Sequence, residues 1–446
     1  MKTDLTFNDM ATEEGQMTTV DVSSLKKLPV DFREFPWKTY TDAQKNEFCC
    51  LLDDVVALQI PVPKTPEEEE EIVNKFLEGV RKLFTPENNW TCLAMLDTSM
   101  EYCAQCNSCS EACHLFEATN GHDMYRPNFR SELFRRIYKQ YVKKEPLAKW
   151  RYGDTLLNWR TVVRLAELAY RCNLCRRCAQ VCPIGVDNGL IARELRKLFS
   201  QELGWHPREL HEKGTMLQLE AGSSTGMTPA VDIETVEFID EDYVESTGYE
   251  FKTPWDVEGA DILLLHNAGE MLAWADNIAA FSIIFEAAGL SWTLSSEIAG
   301  YDSVNYGIFY DDVQAARVAL KHAEAAKKLG VKQIVLGECG HAHKALSVIA
   351  DRILPPELNI PRVSCFPLLR DIVLSGKLKL DPSRNDFPVT LHDPCNLVRL
   401  MGVVQPQRDV LKAVCPQFRE MAWTTTAAAA AAALPSSPAT TSKAGA

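Results

Sequence analysis

The sequence predicts a protein in two parts, an α-helical part followed by an α/β part with a mostly parallel sheet. Residues 86–215 hold eight closely spaced cysteines, separated by segments of helical periodicity. From about residue 257, short apolar runs of strand length alternate with helical patterns, which is typical of a parallel sheet. The length of 446 residues allows two or three domains.

The composition is that of an acidic globular protein. The chain has 47 basic and 61 acidic residues and a net charge of −14, which argues against a general nucleic-acid-binding protein. The first residues contain no apolar run typical of a secretory signal, so we expect the clustered members of the 15 cysteines to hold metal rather than form disulfides. No run of about 18 apolar residues predicts a membrane span. The sequence therefore indicates a cytoplasmic metalloprotein without a membrane span of its own.

Three further segments flank or join the two parts. Residues 1–85 are predicted to be a helical N-terminal region, in which Thr65 caps a helix that begins at Pro66 and has glutamates in its first turn. Residues 216–256 are predicted to form a linker. Residues 423–446 are rich in Ala, Thr, Ser and Pro and are expected to be disordered.

The eight cysteines form two copies of one motif. Its pattern is Cys-x2-Cys-x2-Cys-x3-Cys, and the second copy begins 69 residues after the first. A zinc site would instead show separated Cys-x2-Cys pairs. The repeated pattern predicts two [4Fe–4S] clusters, with the fourth cysteine of each motif binding the cluster of the other. The expected ligands are Cys103, Cys106, Cys109 and Cys182 for cluster 1, and Cys172, Cys175, Cys178 and Cys113 for cluster 2.

Two groups of basic residues lie near the cysteine motifs. Arg171, Arg176 and Arg177 flank the second motif, and they either raise the potential of its cluster or are ordinary surface arginines. A helix is predicted over residues 129–144, with Phe129 on its apolar face, inside a segment with nine basic residues. This segment is either a docking surface for anionic lipid headgroups or an acidic partner, or a solvated helix that offsets the clusters' negative charge. The nine are Arg126, Arg130, Arg135, Arg136, Lys139, Lys143, Lys144, Lys149 and Arg151.

The α/β part offers a second candidate site. The apolar runs at residues 260–265, 333–336 and 388–391 each end in a polar turn, and such turns meet at one edge of a parallel sheet. The candidate catalytic residues in these turns are Cys339, His341 and Cys395, of which Cys395 is also a candidate metal ligand. His341 and His343 are alternatively satisfied turn histidines. The cysteines interpreted as structural are Cys49, Cys50, Cys92, Cys365 and Cys415.

These motifs resemble known families. The helical stretch between the cysteine motifs is similar to the α-helical ferredoxin domains of heterodisulfide reductase small subunits and fumarate reductase iron–sulfur subunits. Residues 392–396, His-Asp-Pro-Cys-Asn, with Arg399 resemble the entry into a CCG motif, and residues 257–422 resemble a CCG-type α/β domain. The chain is thus similar to the heterodisulfide reductase catalytic-subunit superfamily, closest to the DsrK type linked to dissimilatory sulfite reductase. Supporting motifs lie at residues 125–132, 187–193, 222–227, 266–270 and 337–343.

The resemblance implies a role in dissimilatory sulfate reduction. Electrons from quinol would enter through a haem-bearing integral membrane subunit, pass the two clusters, and reach a third, noncubane [4Fe–4S] cluster. There they would reduce a disulfide or trisulfide carried by a small sulfur-carrier protein of the DsrC type. The resemblance also implies a peripheral location on the cytoplasmic face of the membrane.

The chain departs from the family pattern near its end. Family members continue after residues 418–421 into a Cys-Cys-Gly-Gly segment, whereas here Trp423 precedes the Ala/Thr/Ser/Pro segment and no Cys-Cys pair follows Cys50. Residues 294–297 and 339–342 stand where other CCG domains have cysteines. One or two cysteines are too few to hold a four-iron cluster. The sequence therefore predicts a C-terminally altered member that keeps electron transfer and lacks S–S reduction.

Two other functions stay open from the sequence. One is a pure electron relay with an inactive CCG-type domain. The other is the iron–sulfur subunit of a flavin dehydrogenase of the glycolate or glycerol-3-phosphate type. No GxGxxG after a strand and no Walker loop occurs, so no flavin or nucleotide site of these kinds is predicted in this chain.

Overall fold

The computed structural model describes the chain from Leu58 to Met421 with short gaps. The predicted tail and most of the predicted N-terminal region lie outside the described residues. The chain divides into two compact units, with the boundary between Trp205 and His206. The residues outside the description are 1–57, 59, 90–91, 208–209, 268–273, 275, 299–308, 338, 350–353 and 422–446.

The first unit is helical throughout its described residues. A short 3-10 helix, Asp123–Tyr125, and a π-helix, Tyr138–Val142, interrupt the series of α-helices. The α-helices are α1 Pro66–Leu83, α2 Pro86–Asn89, α3 Leu93–Glu101, α4 Ser108–Glu111, α5 His114–Ala118, α6 Pro127–Ile137, α7 Ala148–Tyr152, α8 Trp159–Tyr170, α9 Arg177–Gln180 and α10 Asn188–Leu203.

Helix α10 is the centre of the first unit, because it contacts α1, α6 and α8. Its Phe199 lies against Phe76 of α1, with ring centroids 6.0 Å apart, and both side chains are fully buried. The predicted start of α1 is confirmed, since Pro66 is its first residue and the Thr65 hydroxyl accepts a hydrogen bond from the Glu68 amide at 3.3 Å.

A buried ion network also fixes α10. Glu194, which is 0% exposed, accepts from Arg193 Nη1 at 2.6 Å and from Lys197 Nζ at 2.7 Å. Asn89 of α2 donates to Glu194 Oε2 at 3.0 Å and accepts from Lys197 at 3.0 Å. Each charge is therefore paired, which a buried ion requires.

The second unit combines helices with two small parallel sheets. It contains π-helices at Leu210–Met216 and Lys344–Ile349 and 3-10 helices at Pro356–Leu358 and Pro382–Asn385. Its α-helices are α11 Leu217–Ala221, α12 Pro229–Thr247, α13 Asp276–Ala287, α14 Asp312–Leu329, α15 Gly340–His343, α16 Cys365–Leu374, α17 Cys395–Met401 and α18 Gln405–Val414. Its strands are β1 Ile262–Leu265, β2 Trp292–Thr293, β3 Gln333–Leu336, β4 Arg362–Ser364, β5 Val389–Thr390 and β6 Phe418–Arg419.

The larger sheet has the strand order β2-β1-β3-β4, all parallel. Successive residues of β1 point into different cores: Leu263 packs with Ala319 of α14, whereas Leu264 packs with Phe285 of α13. Both faces of the sheet are therefore covered by helices, as expected for parallel strands.

Two expectations for this unit need correction. The run at residues 388–391 does form a strand, but β5 pairs with β6 in a separate two-stranded sheet, so its turn does not follow a strand of the larger sheet. The segment predicted as a linker contains α12, whose Val236 is fully buried. Sequence reasoning missed α12 because acidic residues outnumber the few apolar residues, such as Val236 and Ile239, that pack in the core.

Candidate functional site

Both cysteine loops have the same uncommon backbone. Gln105 and Asn107 in the first loop have φ values of 54° and 67°, and their counterparts Leu174 and Arg176 in the second both have 57°. A left-handed conformation costs a non-glycine residue about 1–2 kcal/mol. Such strain persists where the surrounding structure enforces it, and it concentrates at functional sites. The repeat seen in the sequence is thus a repeat of a special backbone geometry.

The cysteines of each loop lie close enough to affect one another. Burial raises the pKa of Cys109, and the charges of the other two thiols in its loop raise it further. Burial also raises the pKa of Cys178, with Asp187 and the thiols of the same loop adding to the effect. The described cysteines are free thiols. Each loop therefore holds a buried thiol whose surroundings disfavour a bare thiolate, which fits a site where bound iron replaces the proton.

Backbone amides point at two of the sulfurs. The Leu174 N–H donates to Cys172 Sγ at 3.4 Å, and the Val186 N–H donates to Cys182 Sγ at 3.3 Å. Hydrogen bonds to cysteine sulfur are one of the means by which a protein sets the potential of an iron–sulfur cluster.

Helix α6 supplies a buried arginine to each group of cysteines. Arg130 is 5% exposed and donates to the backbone carbonyl of Arg171. Burial alone would lower the pKa of Arg130, but four cysteine thiolates outweigh burial and raise it. These four are Cys172, Cys113, Cys178 and Cys175.

Arg135 faces the other group. Its Nε donates to the Ser99 carbonyl at 3.0 Å and its Nη2 to Asn188 Oδ1 at 2.8 Å. Burial lowers the pKa of Arg135, and Glu132 together with three cysteine thiolates opposes the effect of burial. These three are Cys103, Cys109 and Cys182. Around the two arginines, the fourth cysteine of each motif is thus grouped with cysteines of the other motif.

The two groups differ in exposure to solvent. In the first, Cys106 is exposed, and Cys103 and Cys182 are half-buried. The members of the second are all buried; they are Cys113, Cys172, Cys175 and Cys178. A cavity of about 620 Å³ opens beside the first loop, between Gln105 and Leu156. The first group is therefore the one that an outside molecule can approach.

The predicted apolar face of residues 129–144 is confirmed beyond its first residue, since Ile137 and Tyr138 lie in the core and Leu133 and Tyr141 pack against it. Sequence reasoning missed where Phe129 and two of the arginines lie. Phe129, expected in the core, is 44% exposed, whereas Arg130 and Arg135 are buried. It also missed Asn128, which accepts from Cys109 Sγ at 3.9 Å and donates to Asn107 Oδ1 at 2.8 Å. The sequence shows only that Asn128, Arg130 and Arg135 are polar residues at positions i, i+2 and i+7 of α6. This spacing does not indicate that their side chains are buried.

The arginines beside the second motif have specific partners. Arg171 donates to the Tyr125 hydroxyl at 2.9 Å and to Glu167 at 3.4 Å. Arg176 pairs with Asp187, which is 2% exposed and caps α10. These two arginines are therefore structural links around the second loop.

In the second unit, the structure brings together the elements that carry Cys339 and Cys395. Cys339 precedes α15, Cys395 begins α17, and the two helices are in contact. A Cβ atom on Gly340 would lie 3.0 Å from Pro394 Cβ and 3.6 Å from the Leu397 nitrogen. A larger residue at this position would crowd Pro394, so glycine favours the close approach of the two turns.

The two histidines near Cys339 differ. Burial lowers the pKa of His341 to about 4, so its imidazole is neutral at pH 7. His343 is fully buried, with Nδ1 2.8 Å from the Cys339 carbonyl and Nε2 2.8 Å from Ser364 Oγ. His343 is therefore a satisfied turn histidine, which was one of the two expectations.

Sequence reasoning missed the anchor of the turn before Cys395. Asp393 binds Arg408 in bidentate fashion, with distances of 3.0 and 2.6 Å, and Arg408 also contacts Glu420 at 2.7 Å. The fifteen-residue separation of Asp393 and Arg408 gave no local signal. Among the residues that the structure describes, no three His, Cys, Asp or Glu side chains converge on a single metal ion.

Comparison with known proteins shows which iron–sulfur proteins the chain is similar to. The model of a 4Fe-4S dicluster domain matches residues 99–186, which include both cysteine motifs. The chain is 27% identical over 402 residues to the Hdr-like menaquinol oxidoreductase iron-sulfur subunit 2 of Archaeoglobus fulgidus. It is 26% identical over 374 residues to the Hdr-like menaquinol oxidoreductase iron-sulfur subunit of Archaeoglobus profundus. The chain therefore resembles Hdr-like iron–sulfur subunits.

A third relative extends the likeness to the reductases themselves. The chain is 24% identical over 333 residues to one subunit of the dihydromethanophenazine:CoB–CoM heterodisulfide reductase of Methanosarcina acetivorans, a match that covers 73% of this chain and 75% of the relative. The Archaeoglobus matches cover 80% and 72% of this chain. The chain spans 69% and 64% of the lengths of those two proteins. No solved structure matches the chain.

These matches confirm the resemblance to the heterodisulfide reductase superfamily and the presence of iron–sulfur cofactors. Together with the structure they confirm the coarse fold of the chain, which is mainly helical with a dicluster domain and a small parallel sheet. No helix among the described residues has the length and apolar character needed to cross a bilayer.

Proposed function

We propose that this Hdr-like subunit relays electrons through two [4Fe–4S] clusters in its first unit. The observation that supports the proposal most directly is the pair of buried arginines on α6, Arg130 and Arg135, each beside cysteines from both motifs. The proposed ligands are Cys103, Cys106, Cys109 and Cys182 for cluster 1 and Cys172, Cys175, Cys178 and Cys113 for cluster 2. When bound, such clusters supply one-electron chemistry.

The two proposed cluster sites differ in their exposure to solvent and in the charge nearby. Exposed Cys106 and the adjacent cavity leave the first site open to an electron-donating or electron-accepting partner. The positive charge of Arg130 favours a reduced, more negative centre at the second site, whereas burial of its cysteines opposes the added charge. We propose that the donor is a haem-bearing integral membrane subunit that oxidises quinol, and that the chain is peripheral on the cytoplasmic face.

A second candidate function concerns the destination of the electrons. The contact between the turns of Cys339 and Cys395 supports a reactive site that reduces a protein-bound disulfide or trisulfide on a DsrC-type carrier in sulfur metabolism. His341 lies two residues after Cys339 and is neutral at pH 7, because burial disfavours its protonated form. Cys339 and Cys395 supply fewer ligands than a third, noncubane cluster needs. The relay is therefore the primary proposal.

The relay is tested by counting iron and acid-labile sulfide in anaerobically purified protein, with EPR spectra of the oxidised and reduced states. We expect about eight irons per chain and signals from reduced cubanes only. Cys178→Ser should remove about half of the iron. Cys365→Ala is the matched control, because Cys365 is equally buried but donates to the Gly337 carbonyl at 3.3 Å.

Two results would contradict the proposal. Equal iron loss in the Cys178 and Cys365 variants would show that the cysteine motifs are not the binding sites. About twelve irons with an extra signal on oxidation would show a third cluster, and the second unit would then be the catalytic centre.

A further inference from the structure

The segment from Lys143 to Leu156 exposes large apolar side chains. Leu147 is 72% exposed, Trp150 is 83% exposed and Leu156 is 72% exposed. Single exposed apolar residues are ordinary on protein surfaces. Three within ten residues, on a segment that contains the short helix α7, are a patch of the kind that marks an interaction site.

The inner side of this segment is polar. Gln140 of the π-helix donates to the Gly153 carbonyl at 2.6 Å and accepts from the Thr155 amide at 3.1 Å. The Tyr141 hydroxyl donates to the Thr155 carbonyl at 2.7 Å. Hydrogen bonds therefore hold the segment to the unit while its apolar side chains face outward, the reverse of the usual arrangement for a surface segment.

The backbone is held in this arrangement at a cost. Lys144 and Leu147 have φ values of 50° and 69°, in the left-handed region. For a leucine as exposed as Leu147, this conformation costs about 1–2 kcal/mol with no gain from burial. Binding of Leu147 to a partner outside the folded chain would offset this free-energy cost.

The charge of the segment is opposite to that of the chain. Residues 143–156 contain four basic residues against Glu145 and Asp154, whereas the whole chain has a net charge of −14. Lys143 pairs with Glu101 at 2.5 Å and Lys149 with Asp154 at 3.1 Å, whereas Lys144 and Arg151 are exposed. Tryptophan flanked by lysine and arginine is typical of segments at a membrane–water interface.

We propose that residues 143–156 form a docking surface for an anionic phospholipid bilayer. Trp150, Leu147 and Leu156 enter the headgroup region, and the lysines and Arg151 lie near the lipid phosphates. A lipid surface is favoured over a protein partner because the apolar and cationic side chains alternate, whereas a protein interface has an apolar core inside a polar rim. The inference deepens the proposed peripheral location and rests on it, but it requires no electron transfer.

The test is co-sedimentation of the full chain, with its clusters and under anaerobic conditions, with phosphatidylcholine vesicles that contain about 30 mol% phosphatidylglycerol. Leu147→Ser with Trp150→Ala should weaken binding at least about tenfold, because two apolar side chains no longer leave water. The matched control is Phe238→Ser with Trp274→Ala, because these residues are 70% and 68% exposed in the other unit. We expect the control to bind like the unaltered chain.

Charge provides a second arm. Lys144→Gln and Arg151→Gln should each weaken binding to the anionic vesicles about fivefold, and vesicles of phosphatidylcholine alone should bind much less. Equal binding by the two double variants would overturn the proposal. So would an unaltered chain that binds a membrane protein but no vesicles, which would assign the surface to a protein partner. Either result leaves the iron count of the relay test unchanged, so failure here is distinct from failure of the relay.

Discussion

Arg130 shows how one buried charge can serve a metal site. A buried guanidinium needs opposite charge close by, and the nearest sources are the thiolates of the second cysteine group. Its Nη1 donates to the backbone carbonyl of Arg171, just before Cys172. The side chain thus fixes the start of the second loop and places a positive charge beside it.

Replacing Arg130 should change a reduction potential. Arg130→Gln removes the charge, and we expect the potential of cluster 2 to fall by roughly 50–100 mV, as for a charge interaction of about 1–2 kcal/mol. EPR-monitored redox titration measures this. Arg130→Lys keeps the charge and should restore most of the potential, whereas Arg136→Gln on the exposed side of α6 should leave it unchanged. Equal potentials in the Gln and Lys variants would contradict the electrostatic role.

Asp232 predicts a pH dependence in the second unit. Burial raises its pKa from 3.8 to about 6, and Oδ1 has no hydrogen-bond partner among the described residues. Between these two pH values the unfolded chain loses the proton while the folded chain keeps it. The free energy of unfolding should therefore fall as the pH rises from about 4 to about 6, and stay reduced above pH 6.

Asp232→Asn should remove this penalty. At pH 7 we expect the variant to be more stable by up to about 3 kcal/mol, with no gain near pH 4. Urea unfolding at several pH values, followed by circular dichroism, measures the difference. Asp242→Asn on the exposed side of α12 is the control. A gain that does not depend on pH would show that the carboxyl is not the source.

At the scale of elements, the backbone of the first cysteine loop predicts that two substitutions of Gln105 will have different effects on the iron content. Gln105 is exposed and has a φ of 54°. Gln105→Gly relieves the left-handed strain and should keep all the iron. Gln105→Pro fixes φ near −65° and should abolish cluster 1, about half of the iron.

The prediction for Gln105 needs a control in the second loop. That control is Leu174→Gly. Leu174 lies in the same left-handed region of φ as Gln105, but its side chain is only 3% exposed, so the substitution removes a buried side chain. It should keep iron but lower the stability of the first unit. If Gln105→Pro retained its iron, the left-handed turn would not be needed for binding.

At the scale of the whole molecule, two units with separate cores predict two unfolding transitions. The core around α10 and the cores on the faces of the larger sheet share no described residue. Removal of the clusters with ferricyanide and chelator should lower the melting temperature of the first unit only, because metal binding stabilises the folded state that holds it. Calorimetry of the holoprotein and apoprotein tests this. A shift of both transitions by equal amounts would contradict it.

Features that depend on local interactions could be predicted from the sequence, whereas features that depend on long-range contacts could not. The cysteine loops and the start of α1 follow from short-range rules, so spacing and capping residues predicted them. The burial of Arg130 and the Asp393–Arg408 pair depend on contacts between distant segments, which no periodicity encodes. Strand β5 was predicted, but its partner β6 is a two-residue strand with no sequence signal.

The unequal exposure of the two cysteine groups has a consequence for oxidative damage. Dioxygen and its reduced forms reach iron–sulfur centres most easily where a ligand is exposed, and Cys106 is the exposed member of the proposed ligands. The centre beside it would decay first, and its freed thiols would oxidise, while the centre behind Arg130 survives. In a cell that meets oxygen, this protein would lose its contact with outside partners before it loses its interior centre, so damage would halt electron flow at the surface of the protein.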